Sequence, residues 1–284
     1  MSALQKKIDF ALVLRVKNAN PNGDPLNGNR PRTDYANFGE ITDVCLKRKI
    51  RDRLLEAGHG IFVQSDDRRT DDARSLRERA EAALGDRLGS SETVTLACDR
   101  WLDVRAFGQL FALRTNKKTK KKDETRSNEG DTGVSIGIRG PVTIQSAFSV
   151  EPIDITSVQI TKSVSGEGEG GKRSSDTMGM KHRVDRGVYV SFGSMNPQLA
   201  ERTGFSDPDA QAIKQVLPRL FQNDESAARP AGSMEVLKVI WWGHNCKAGQ
   251  YSSAKVHQTL TVHPDGAVEL AKLDGLKPEV IEGF

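Results

Sequence analysis

The first pattern along the chain has a period of two. Ile8, Phe10, Leu12, Leu14 and Val16 occupy alternate positions and share one face of an extended segment, so a strand is predicted over 8–16. The next pattern has a period near four. Leu46, Ile50, Leu54 and Ala57 fall at i, i+4, i+8 spacing and predict a helix over 42–57, capped by Thr42 or Asp43. At ~3.6 residues per turn, Lys47, Arg48 and Arg51 fall together beside that stripe, within ~100° of arc. A thinner face of Leu76, Ala80 and Leu84 predicts a charged accessory helix within 65–88, with Thr70 as its cap.

Residues 93–108, TVTLACDRWLDVRAFG, read as a strand entering a tight turn. Alternation resumes at Val134, Ile136 and Ile138, continues past Pro141 at Val142 and Ile144, and extends through Phe148 and Val150. Val188, Val190 and Phe192 predict a strand over 187–192. Asp207-Pro208 opens a helix carrying Ile213, Leu217, Leu220 and Phe221, with a kink expected at Pro218. A buried strand over 235–242 and a turn at 263–266, HPDG, complete the reading. Stripped of its insertions, the order is strand, helix, strand, strand, helix, strand, which is an α+β, ferredoxin-like plan. RNA-recognition (RRM-like) modules share that plan, as do many unrelated proteins, so it assigns no function by itself.

Composition narrows the classes. The chain has 284 residues, 36% hydrophobic and 28% charged, with a formal net charge of +4. No window approaches the ~18 consecutive apolar residues of a membrane span, and the short apolar run at the N-terminus contains Asp9 and reads as a strand, not a signal peptide. Cys45, Cys98 and Cys246 are far apart and form no CxxC pair, which disfavours a disulfide framework or zinc site and fits a reducing cytoplasm. The mild basicity permits a polyanionic partner, and aromatics at 6% make stacking by many rings an unexpected mode.

Three insertions hold the candidate chemistry. Residues 18–34, NANPNGDPLNGNRPRTD, carry five asparagines, two arginines and two aspartates between the first strand and the first helix. Asn20, Asn22, Asn27 and Asn29 offer amides that donate and accept, and Arg30 and Arg32 can bind phosphate in a fork. A connector whose asparagines only shape turns is the bland alternative. The loop leads into the helix N-terminus at Thr42, where free N–H groups and Lys47, Arg48 and Arg51 favour an anion. Residues 115–131 contain five lysines in six positions, Lys117–Lys122, and read as a mobile loop of low specificity. Residues 162–186 begin glycine-rich and end in TMGMKHR, where Met178 and Met180 are bordered by Lys181 and His182. Such methionines could wedge between bases or be no more than an exposed tip. Arg105 and Arg139 lie beside glycine-containing turns, as phosphate ligands or as salt bridges at the edge of the core.

Catalytic signatures are absent. The five histidines show no HExxH or HxxxH spacing, and there is no GxSxG or Walker loop. GEGEGG at 166–171 lies in a polar insertion and not between strand and helix. His244, after Trp241-Trp242, reads as a packed histidine. A carboxylate set of Asp24 with Asp34 or Asp43, holding Mg²⁺ for phosphodiester cleavage, is the one enzymatic alternative.

Taken in order, NPNGDP and PRTD, ITDVCLKRKIRD, DVRAFG, IRGPVTIQSAFSVEPI and DTMGMKHRVDRGVYVSFGSMNP resemble the backbone subunit of the CRISPR interference complex Cascade, most closely its subtype I-C form. The resemblance implies a single hand-shaped domain. Its RRM-like palm would take about 1–58, 93–160 and 187–284, a helical finger 59–92, and a thumb 161–186. It implies copies assembling head to tail along one guide RNA (crRNA) whose bases pair with target DNA, together with the large, small and guide-processing subunits. Such a subunit needs no cofactor or metal, is no nuclease and does not enter a membrane, although related subunits of another CRISPR class cleave RNA through a loop aspartate. Carried over by position, the RNA-binding set is Asn20, Asn22, Arg32, Thr42, Lys47, Arg48, Arg51, Arg105, Arg139, Lys172, Arg173, Met178, Met180, Lys181 and His182.

Overall fold

The computed structural model describes residues 2–113, 134–161 and 178–284. The chain opens with β1 (Ile8–Ala19), the two-residue strands β2 (Gly23–Asp24) and β3 (Arg30–Pro31), β4 (Phe38–Ile41) and α1 (Asp43–Glu56). Three helices follow, α2 (Leu76–Leu84), α3 (Thr93–Arg100) and α4 (Leu102–Phe107), and then a pair of strands, β5 (Gly108–Leu113) and β6 (Val134–Arg139). Next come β7 (Val142–Ile144), β8 (Ala147–Pro152), β9 (Ile155–Thr161), the long β10 (Met178–Met195), α5 (Pro197–Thr203), α6 (Asp207–Val216) and β11 (Met234–Gly243). The C-terminal elements are α7 (Ser253–His257), β12 (Leu260–Val262), β13 (Val268–Leu270) and β14 (Glu279–Glu282). Among the described residues no helix is long and apolar enough to cross a membrane.

The main sheet runs β14-β11-β1-β10-β8-β4, with antiparallel pairs throughout. Its centre, β11-β1-β10-β8, has the fourth, first, third and second strands of the split βαβ plan side by side, with α1 and α6 as the two crossovers. The expected α+β fold is therefore present. The alternating residues of β1 build the core as their period requires: Phe10, Leu12, Leu14 and Val16 meet Leu46, Ile50 and Leu54 of α1 and Ile213 of α6. Ala57, placed on that stripe by spacing, is exposed because the helix ends at Glu56.

The other face of the sheet is covered at one end. Ala11, Ile240 and Trp242 pack under Val256, Leu260 and Leu276 of the C-terminal segment, so β1 is buried on both faces there. A third cluster joins Phe62, Ala80, Leu84, Ala97, Cys98, Trp101, Phe111 and Ile138, and Phe62 lies against Trp101 and Phe111 at centroid distances of 4.6 and 5.3 Å.

The structure corrects three local readings. Residues 93–107 are two helices and not a strand: the β-branched start, TVTL, carries an Ala97-Cys98-Trp101 face at helical spacing, and packing against Phe62 and Ala80 overrides propensity. The charged helix begins at Leu76, capped by Ser75, whose side chain accepts from Glu78 N–H; Thr70 is tied to Gln64 instead. Residues 178–186 belong to β10, which continues unbroken into the predicted 187–192 strand. At the end of α6 the chain tightens into a 3-10 turn over Leu217–Arg219, which accommodates Pro218.

Candidate nucleic-acid interface

Much of the asparagine content of residues 18–37 has a backbone cause. Asn18, Asn29 and Asn37 take φ of 54°, 57° and 66°, the left-handed region that asparagine tolerates better than most side chains. Asn20 is buried, and its Nδ2 donates to Asn29 O at 2.6 Å. Asn22 Oδ1 accepts from both the backbone N–H and the hydroxyl of Thr42, at 2.9 and 2.8 Å. Thr42 in turn caps α1 by accepting from Cys45 N–H. The loop is therefore welded to the start of the basic helix. Two groups in this region keep unused hydrogen-bonding capacity: Asn20 Oδ1 and Arg32 Nε are buried without a partner.

A second weld joins the loop to the methionine segment. Arg30 Nη1 donates to Ser157 Oγ at 2.9 Å, and Ser157 Oγ bonds His182 Nδ1 at 2.8 Å. β9 and β10 form an antiparallel ribbon with Met178 opposite Thr161, Met180 opposite Gln159 and His182 opposite Ser157. The period of two sets those six residues on one face of the ribbon. Val158, Ile160, Lys181 and Arg183 lie on the other. Met178 and Met180 are 62% and 55% exposed, and Val158 and Ile160 are also exposed. An isolated two-stranded ribbon with this much bare apolar surface gains little from folding alone.

The expected cations separate into two kinds. Lys47 is held by Asp43 one turn earlier at 2.9 Å, and Arg48 reaches the exposed Asp67 at 3.4 Å and the buried Asp52 at 3.8 Å; the Lys47–Asp43 and Arg48–Asp67 pairs lie at the surface. Arg51, expected beside them on phosphate, is largely buried. Its Nε donates to Asp103 Oδ2 at 2.9 Å, and its guanidinium lies over Phe107 at 5.2 Å. Asp103 is 1% exposed and also accepts from Phe62 and Val63 N–H, so Arg51 ties α1 to α4.

Arg105 is likewise a framework residue. Its Nε and Nη2 grip the two oxygens of Asp209 at 3.0 and 2.7 Å, and its Nη1 donates to Cys98 O. Burial pushes the Asp209 carboxyl up, but the Arg105 fork and the Ser206 hydrogen bonds outweigh it and hold it below the usual range. Lys49, which sequence spacing did not single out, is buried on Asp224; burial lowers its pKa and that partner counters the shift. Arg139 is exposed at the end of β6. Lys172 and Arg173, with the lysine run and the glycine-rich stretch, lie outside the described residues.

The loop aspartates have structural duties. Asp24 Oδ1 accepts from Leu26 N–H and lies 3.3 Å from an Arg32 nitrogen. Asp34 Oδ1 accepts from Ala36 and Phe38 N–H, each at 2.9 Å. Among the described residues no group of three or more His, Cys, Asp or Glu is placed to hold a metal ion. His244 is buried, with Nε2 at 2.9 Å from Asp9 Oδ2 and Nδ1 accepting from Gln250 N–H. Sequence reading took Arg30 for a phosphate fork and missed its bond to Ser157, and it missed the Val158–Ile160 face. The alternating β-branched run ITSVQIT was the available signal for the latter, whereas the Arg30–Ser157 bond spans 127 positions and left none.

Comparison with known proteins bears on this geometry. A family model described as CRISPR-associated protein Cas7 matches residues 6–277. A protein of that same description from Haloferax volcanii is 24% identical over 279 residues, which cover 96% of this chain and 80% of the relative. Among solved structures, a chain of a CRISPR RNA-guided surveillance complex, pre-nicking, overlays with a TM-score of 0.47 at 13% identity, covering 83% of this chain and 78% of the other. A chain of a second CRISPR RNA-guided surveillance complex gives 0.45 at 17% identity, with 92% and 77% covered.

Proposed function

Because the chain belongs to the CRISPR-associated Cas7 family, we propose that it is a guide-RNA-binding backbone subunit that holds its strand and does not cut it. The observation that carries the reading is the linkage of three surfaces. The loop of Asn20, Asn22 and Arg32 is bonded to the α1 N-terminus through Thr42, and to the Met178–Met180 ribbon face through Arg30, Ser157 and His182. Amides, cations and exposed thioethers thus share one rigid frame.

The chemistry follows from those groups. Asn20, Asn22, Arg32, Lys47 and Arg48 meet phosphates and sugars, which every sequence presents alike. Lys181, Arg139 and the Lys172-Arg173 pair extend that contact. Met178 and Met180 press between bases and unstack a step, at a cost of a few kcal/mol; burying a methionine side chain returns ~1.5–3 kcal/mol. The intervening bases stay free to pair with a target DNA strand. Arg51 and Arg105 hold the frame, since their donors are turned onto Asp103 and Asp209. Head-to-tail addition of copies, contact with the other Cascade subunits, the palm, finger and thumb division, and the subtype I-C assignment complete the proposal. A heterologous contact of that kind does not close, so the RNA sets the length.

The test is whether the purified protein carries RNA and protects labelled single-stranded RNA in the presence of Mg²⁺. Bound RNA of uniform length and an intact label are expected. Indifference to RNA at low salt refutes the reading. So does cleavage that disappears in Asp24→Ala or Asp34→Ala.

A further inference from the structure

A cleft of about 740 Å³ is lined by residues of β1, β8, β10 and β11 and by the turn at Pro264-Asp265. Arg15 and Lys17 of β1 face away from the core residues Leu14 and Val16, and Val188 and Arg186 of β10 stand opposite them. The cleft therefore occupies the part of the second sheet face that the C-terminal segment leaves uncovered.

Its charges are unevenly satisfied. Arg15 is paired with Glu235, Nη2 to Oε1 at 2.5 Å. Lys17 and Arg186 are direct cross-strand partners, and both are exposed. Like charges directly opposite in an antiparallel pair destabilise a sheet. Among the described residues neither makes an ion pair: Glu235 is taken by Arg15, and Asp185 accepts from Thr156 and Arg183. Beside them, Ser233 is 8% exposed and lines the same cleft. Its carbonyl accepts from Lys17 N–H at 2.8 Å, while its Oγ is buried without a partner. Two unpaired cations and an unpaired hydroxyl thus belong to residues lining one cleft, a donor set suited to an anion with several oxygens. Glu151 and Asp265 line the cleft as well and oppose a continuous polyanion there, but their oxygens can accept from hydroxyl or amino groups.

We propose that this cleft binds one nucleotide unit, its phosphate on Lys17, Arg186 and Ser233 Oγ, and its sugar hydroxyls or base edge on Glu151 and Asp265. A volume of this size falls within the ~300–1,000 Å³ range of small-molecule sites. The phosphate belongs either to a free nucleotide or to a nucleotide within a strand. Lys17, Arg186, Ser233, Glu151 and Asp265 lie outside the guide-RNA set named above, so the two readings fail separately.

The experiment is calorimetric titration of the full chain with adenosine 5′-monophosphate and, in parallel, inorganic phosphate. Saturable binding of the nucleotide, tighter than phosphate, is expected. Lys17→Ser with Arg186→Ser should weaken it by roughly tenfold or more, since each charge-assisted hydrogen bond removed is worth about a decade. Lys47→Ala with Arg48→Ala should leave it unchanged. Lys17→Ser alone should raise the melting temperature of the unliganded protein, which a purely structural lysine would not do. Displacement of the nucleotide by a short single-stranded RNA assigns the site to a strand, and its absence assigns the site to a free nucleotide. No saturable nucleotide binding, equal affinity for phosphate, or indifference to both Lys17→Ser/Arg186→Ser and Ser233→Ala overturns the proposal.

Discussion

Removing the two surface cations of α1 tests the phosphate reading quantitatively. Lys47 and Arg48 sit on the first turns of the helix whose N-terminus Thr42 caps and Asn22 holds. Asp43 and Asp67 form ion pairs worth ~0.3–0.5 kcal/mol each at exposed sites, and the buried Asp52, 3.8 Å from Arg48, keeps Arg68 as a second cation at 3.9 Å. Lys47→Ala with Arg48→Ala should therefore leave the melting temperature within a degree or two, since about 1 kcal/mol is all the fold loses. The binding signature is larger. Each neutralised phosphate on a single strand contributes ~0.7 to the slope of log affinity against log salt, so two lost contacts flatten the slope by ~1.4. Across a fourfold rise in salt the wild type should lose roughly sevenfold more affinity than the variant. Filter binding or fluorescence anisotropy with two RNAs of unrelated sequence reads this directly. An unchanged slope, or a loss confined to one sequence, refutes the phosphate assignment.

Arg51→Ala should behave in the opposite way. It strands the buried Asp103 carboxylate and costs about 3 kcal/mol, visible as a lowered urea midpoint; an unperturbed midpoint with weakened RNA binding would return Arg51 to the binding surface. Met178→Gly with Met180→Gly should leave folding intact, because both side chains are exposed, yet change the spacing of reactive bases in bound RNA under chemical probing; an identical pattern rejects the wedge. Burial pushes Asp9 up, but the hydrogen bond with His244, the neighbouring His257 and Ser253 side chains and the charge of Lys7 outweigh it and hold the carboxyl far below its ordinary range. Its stabilisation is therefore full above the unfolded pKa of ~3.9 and is lost as pH falls below that value. Asp9→Asn should flatten the acid limb of a melting-temperature profile, and parallel limbs for both proteins would contradict the assignment.

The parts of this molecule legible in its sequence are those ruled by local periodicity. The alternation of Ile8 to Val16 and the stripe of Leu46, Ile50 and Leu54 each answer to one geometric repeat, and each reappears in the main core. The asparagine-rich loop was visible as unusual composition, and its left-handed positions at Asn18, Asn29 and Asn37 explain that composition in part. Residues 93–107 escape local periodicity, because Thr and Val at their start favour strands, whereas the helical face of Ala97, Cys98 and Trp101 has value only once Phe62 and Ala80 are beside it.

What the sequence determined by itself was the order of elements and the kind of chemistry each insertion could offer, because periodicity and side-chain type are local properties. What only the tertiary structure decided was which charges are spent and which are free. Arg48 and Arg51 are three residues apart and chemically identical, yet one reaches solvent while the other closes on Asp103. The meeting of Arg30 with Ser157 follows from tertiary packing, and the facing of Lys17 with Arg186 from strand pairing, each across more than a hundred positions. No local pattern encodes such meetings, since they depend on the sum of burial over the whole sheet.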